Sequence, residues 1–237
     1  MRARVFRLVL MFYACSIVLA FCSIVYELLL GQSLSAFLGN TVLRYSVTIG
    51  LYLLSLGIGT TLAERSKVRE RPVIALARVE LILTLVGGGC VAVLFLVSFL
   101  GLPKIVFSLF AHFLVLFIGV LTGYELPLLL EAKARSGKQS DNALIGFNYV
   151  GAFAGTIAFA FVFYPWLGLL TSAFIAGILN SIIGMILALS WLQENGQKPK
   201  EGWLVFGGHL VMATVLVFCV TRNTQILEWL LGMYLGA

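Results

Sequence analysis

Seven stretches of this chain are apolar for the roughly twenty residues that a helix needs to cross a bilayer, and only short polar segments separate them. That pattern leaves few folds open. A backbone in lipid must satisfy its own hydrogen bonds, so the spanning structures available are helices and closed barrels, and runs this long and this apolar are helical. Charged residues are 11% of the chain, against about 25% in a soluble domain, and the polar segments are too short for a soluble domain of their own. The expected class is an all-α polytopic membrane protein.

The seven spans are expected at about 6–31, 42–63, 73–100, 104–131, 142–164, 167–192 and 203–221. Residues 1–223 form the seven-helix membrane domain. Residues 224–237, NTQILEWLLGMYLGA with its preceding Asn223, are too short to span. They read as an interfacial helix anchored by Trp229 and Tyr234, or as the start of a further domain. Tyr164-Pro165-Trp166 has interface chemistry, aromatics at headgroup depth and a proline that stops a helix.

Position matters more than sign for the net charge of +6, which does not here point to nucleic acid. Twelve Lys and Arg residues fall on one side of the expected membrane, in the N-terminus and in the loops ERSKVRERP, EAKARSGKQSD and QENGQKPKEG. Three fall on the other side: Arg44, Lys104 and Arg222. An excess of Lys and Arg marks the cytoplasmic side. The N-terminus is expected in the cytoplasm and the C-terminus outside, in a multi-pass protein of the cell (inner) membrane. Arg78 lies within the third span and is placed to snorkel. A cleaved signal peptide is rejected, because the first run is too long and contains Glu27. Cys15, Cys22, Cys90 and Cys219 lie in apolar runs with neither metal-ligand nor disulfide spacing.

Tyr26-Glu27-Leu28 returns 98 residues later as Tyr124-Glu125-Leu126, and Gly59-Thr60 returns 96 residues later as Gly155-Thr156. The near-equal offsets suggest that helices one to three and four to six are copies. Three is odd, so the second copy would enter the membrane from the opposite side, giving a 3+3 inverted-repeat core plus one extra helix. Glu27 is then expected near the outer face and Glu125 near the inner one.

Ionisable groups inside a span cost at least about 2.5–3.5 kcal/mol and are functional candidates by default. Glu27 shares a helical stripe with Ser16, Ala20, Ser23 and Gly31, and Arg44 is its candidate structural partner. Glu80 is followed by Thr84 and Gly87 on one face. Glu125 precedes Pro127, which frees a carbonyl in the preceding turn. Asn148 and Tyr149 enter the fifth span at similar depth, and Asn148, Gly151 and Gly155 form a stripe suited to close helix packing. Glu80, Glu125, Asn148 and Tyr149 are expected to make a polar pocket facing the cytoplasm, and acids beside an aromatic suit an organic cation. Asn180 is expected to hydrogen-bond between helices. His112 and His209 read as packing residues. No metal site and no cofactor is expected, since Gly87-Gly88-Gly89 lies in mid-helix and is no nucleotide loop.

YELLLGQSLSAFLGNTVLRYSVTIGLYLLSLGIG from Tyr26, GYELPLLLEA from Gly123, and FNYVGAFAGTIAFAFVFYPWLGLLTSAFIAGILN from Phe147 carry a likeness. Over nearly its whole length the chain resembles the membrane domain of membrane-bound polyamine aminopropyltransferases, the spermidine synthase-like proteins. The resemblance implies a fold similar to half of a major-facilitator transporter, usually followed by a soluble Rossmann-like synthase domain. The chain departs from that pattern after Ala237, so the family's catalytic residues have no positions onto which to be carried, and the chain alone is expected to transfer no aminopropyl group. A C-terminus outside also fits poorly with a cytosolic synthase.

The expected function is to bind or pass a polyamine-like cation, or to anchor a separate or missing aminopropyltransferase. The alternatives are a small stand-alone solute transporter of half-carrier type, for which a homodimer is the natural assembly, and a purely structural anchor.

Overall fold

A computed structural model describes residues 2–135, 142–194 and 200–235, with side chains from Leu10 onward except at 231 and 233–235. The side chains of Arg2, Arg4, Arg7 and Tyr234, and residues Lys138 and Lys198, lie outside the described residues.

The described residues are almost all helical, and no strand occurs among them. The helices are α1 (Arg2–Leu38), α2 (Thr41–Arg65), α3 (Pro72–Phe99), α4 (Lys104–Gly123), α5 (Glu125–Arg135), α6 (Asn142–Ala158), α7 (Gly168–Glu194), α8 (Lys200–Thr221) and α9 (Asn223–Leu235). A 3-10 turn at Lys67–Glu70 precedes α3, and a π-helical segment, Phe159–Leu167, joins α6 to α7. Six helical stretches are long and apolar enough to cross a membrane. One of them, Asn142–Glu194, has 53 residues and folds back on itself. Ser16 Oγ donates to the Leu144 carbonyl at 3.0 Å and Gln32 Nε2 to the Tyr164 hydroxyl at 2.9 Å, so α6 runs parallel to α1. Cys22 Sγ lies 3.7 Å from the Ala176 carbonyl and Ser190 Oγ lies 3.1 Å from Met11 Sδ, so α7 runs antiparallel to α1. The chain therefore reverses between them, at Gly168, whose φ of 71° is left-handed. Seven passes of alternating direction result.

The helices meet through small residues. α1 packs along α6, α2 along α4, α3 along α7, and α7 along α8. A Cβ at Gly59 would strike the Val120 carbonyl oxygen, and one at Gly151 would strike the carbonyl of Ile17. Such close backbone approach is the packing that can join helices where burying apolar surface gives no advantage, as in a bilayer.

Four boundaries differ from the sequence expectation. α1 continues through Gln32–Ser35 to Leu38, and the turn is only Gly39 (φ 71°) and Asn40 (φ 55°). The polar residues that looked like a loop are satisfied laterally: Tyr45 donates to Gln32 Oε1 at 2.7 Å and Ser35 to Thr41 at 2.8 Å. The expected span at 104–131 is two helices that meet at Tyr124, three residues before Pro127, which has no N–H for the carbonyl four residues back. The span expected to end at 164 widens into the π segment, with Pro165 inside it. Ser172 Oγ donates to the Phe163 carbonyl there at 3.0 Å. The last span begins at Lys200 rather than 203.

Charge gathers at one end of the bundle. Glu131 binds Arg69 and, at 2.9 Å, Arg135. Glu201 binds Arg78 and, at 3.5 Å, Arg71. Arg78 is thus an ion-pair partner of α8. Lys133, expected in a loop, is buried, with Nζ 3.1 Å from the Tyr13 hydroxyl and 4.5 Å from the ring centroid. All four cysteines are free, with Cys219 partly exposed.

Candidate functional site

α1, α2, α4, α5 and α6 line a cavity of about 330 Å³, at the small end of the range for ligand pockets. α1 presents Ala20, Ser23, Ile24 and Glu27 to it, one face of the helix at spacings of three and four. α6 presents Asn148, Tyr149 and Ala152 by the same rule, and α2 contributes Leu53, Leu56 and Thr60. The α4–α5 junction supplies Thr122, Gly123, Glu125 and Leu126.

The helix junction is held from α2. Pro127 cannot donate to the Gly123 carbonyl, and Thr60 Oγ1 donates to it instead at 3.1 Å. The freed carbonyl that the sequence pointed to is therefore occupied by the protein itself. The Tyr52 hydroxyl, also on α2, donates to the Ser23 carbonyl at 3.0 Å and lies 3.2 Å from Ser23 Oγ, fixing α1 against α2 one turn before Glu27.

Glu27 and Glu125 are 8% and 4% exposed, and both line the cavity. Neither is ion-paired among the described residues. Arg44 does not reach Glu27, and its own Nε is buried without a hydrogen-bond partner. Glu125 Oε1 has no hydrogen-bond partner either. With α1 extended to Leu38, Glu27 lies well inside its helix, and it meets Glu125 at one cavity.

The expectation for Glu80 is corrected. It is fully buried on α3 and does not line the cavity. Both its oxygens lack hydrogen-bond partners. Thr84 Oγ1, the Tyr26 hydroxyl and both amide atoms of Asn180 are likewise buried without partners, so Asn180 makes no interhelical hydrogen bond. Sequence reasoning missed Thr60 as a wall residue and placed Ser23 only on the stripe with Glu27. The only signal for Thr60 was its place in the repeated Gly-Thr pair. His209 is the packing residue expected, with Nε2 2.8 Å from the Ala77 carbonyl and Ser181 Oγ donating to the His209 carbonyl at 2.7 Å. His112 Nδ1 lies 2.6 Å from the Ser108 carbonyl of its own helix. No group of three or more His, Cys, Asp or Glu placed to hold a metal occurs among the described residues.

A polyamine aminopropyltransferase of Leptospira interrogans is 39% identical over 183 residues, which are 76% of this chain and 35% of that protein. The sequence is similar to polyamine aminopropyltransferases. Polyamine aminopropyltransferase 1 of Streptomyces coelicolor is 33% identical over 83% of the chain and 37% of its own length. Polyamine aminopropyltransferase 2 of Ralstonia nicotianae is 36% identical over 84% of the chain and 39% of its own length. The chain thus spans little more than a third of the relatives that it matches. No family model matches it, and no solved structure matches it.

Proposed function

We propose that this chain is the membrane domain of a protein of the polyamine aminopropyltransferase type, and that its cavity binds a polyamine-like organic cation. The observation that carries the reading is the meeting of Glu27 and Glu125 at one cavity, with neither acid ion-paired among the described residues. Two carboxylates in a low-dielectric site attract a cation far more strongly than they would in water, and Tyr149 adds a ring for a cation–π contact. The names of the relatives make a polyamine the natural first ligand.

An inverted repeat supports the same reading. If α1 to α3 correspond to α4–α5, α6 and α7, the pairing of α1 with α6 exchanges with that of α4 with α2, and the pairing of α3 with α7 maps onto itself. Glu27 and Glu125 then occupy equivalent positions, as in carriers that bind at the interface of their repeats. The basic end of the bundle lies in the cytoplasm on this reading, and α9 lies along the interface with Trp229 exposed.

The test is the unfolding midpoint of the purified protein against spermidine, putrescine and neutral analogues. Native-state binding raises the midpoint by mass action. Spermidine is expected to raise it in wild type and to fail in Glu27→Gln and Glu125→Gln, while neutral analogues do nothing. No shift with any amine overturns the reading.

A further inference from the structure

The cavity is open on one side. α1 packs against both α2 and α6, but α2 and α6 do not pack along one another, and the gap between them leads to Glu27 and Glu125. Its rim is Leu53 on α2, 58% exposed, and Tyr149 on α6, 72% exposed. Leu53 is the middle residue of the 25-residue α2, so the rim lies near the centre of a span, at hydrocarbon depth if α2 crosses the bilayer. The gap offers apolar surface at Leu53 and Leu56 and an acid pair behind it.

An all-polar cation fits the back of this site but gains nothing from its mouth. A bare charge crossing hydrocarbon to the mouth costs several kcal/mol, whereas an amphiphile carries an apolar tail that stays in the lipid while its head turns inward. The complementarity is therefore to a molecule charged at one end and apolar at the other. We propose that the cavity takes an amphipathic cation, an amine or polyamine head on an alkyl tail, which enters from the bilayer between α2 and α6. Its ammonium lies against Glu27 and Glu125, and its tail lies in the gap beside Leu53 and Tyr149. The inference rests on the cation site proposed above and narrows its ligand.

The experiment uses the full chain in nanodiscs of zwitterionic lipid and dodecylamine bearing a diazirine at the end of its tail. After photolysis, labelled residues are mapped by mass spectrometry, with spermidine-induced stabilisation measured on the same preparation. The expected result is labelling concentrated on α2 and α6 around Leu53 and Tyr149. It should be competed by unlabelled dodecylamine but not by dodecanol, and reduced at least tenfold in the Glu27→Gln/Glu125→Gln double variant. Background labelling of exposed α8 residues such as Leu204 and Phe218 reports that the variant is folded, because it should not change. Labelling spread evenly over the lipid-facing helices, competed equally by dodecanol or indifferent to the two substitutions overturns the proposal. If spermidine still stabilises the protein through Glu125, only the amphiphile and its route are lost and the cation site stands. If spermidine has no effect either, both fall.

Discussion

Thr60 does for Gly123 what the backbone of its own helix cannot, and the α4–α5 junction beside Glu125 depends on it. Thr60→Val keeps the shape and removes the donor, leaving a carbonyl unsatisfied in an apolar setting. Loss of about 1–3 kcal/mol is expected in chemical or thermal unfolding, with Thr60→Ser recovering most of it. Glu80 presents the opposite case. Both its oxygens are buried without partners, so its polarity opposes folding and nothing in the described structure offsets it. Glu80→Met is expected to raise the unfolding midpoint and to leave spermidine stabilisation in place. Loss of binding in that variant would give Glu80 a part in the site that its position does not. The sequence named Glu27, Glu80 and Glu125 alike, because a carboxylate in an apolar run stands out whatever surrounds it. Nothing in the residues separated the two acids that line the cavity from the one that does not.

Among the helices, two contacts place the cavity walls: Gly59 of α2 against α4, and Gly155 of α6 against Phe21 and Ile24 of α1. A larger side chain at either forces the helices apart. Gly59→Leu and Gly155→Leu are each expected to cost about 1–3 kcal/mol or more in unfolding assays, whereas Gly57→Leu, which meets nothing within 4 Å, costs little. Near-equal losses at the two contact sites also follow from the repeat, and a large loss at one only would count against it. The existence of these helices was legible, since each is a long apolar run. Their ends were less so. Gln32 and Ser35 read as turn residues because their partners, Tyr164, Tyr45 and Thr41, were unseen. The break at Tyr124 and the π segment around Pro165 both follow from a proline, but a proline tells only that a hydrogen bond is lost, not how the helix adjusts.

At the scale of the whole bundle, ion pairs tie loop to helix at the basic end, where Glu131 joins the turn before α3 to α5. Partly exposed pairs contribute little, and salt screens them. Glu131→Gln is expected to lower stability by about 1 kcal/mol at low ionic strength and by less in high salt, as seen in unfolding midpoints across a salt series. An effect insensitive to salt would mean that Glu131 acts through packing. The chain by itself determined that it is helical, that its helices are long and apolar enough to cross a membrane, and where its charges fall along them, because these properties act residue by residue. Of the five candidates it named, Glu27, Glu125, Asn148 and Tyr149 line the cavity and Glu80 does not. Only the tertiary structure decided that Glu27 and Glu125 share a cavity, that Glu80 is buried outside its lining, and that Lys133 is buried against Tyr13. Those outcomes depend on which helices are neighbours and how each is rotated. Contacts between residues nearly a hundred or more apart, such as Gly151 on Ile17, fix both, and no local pattern records them.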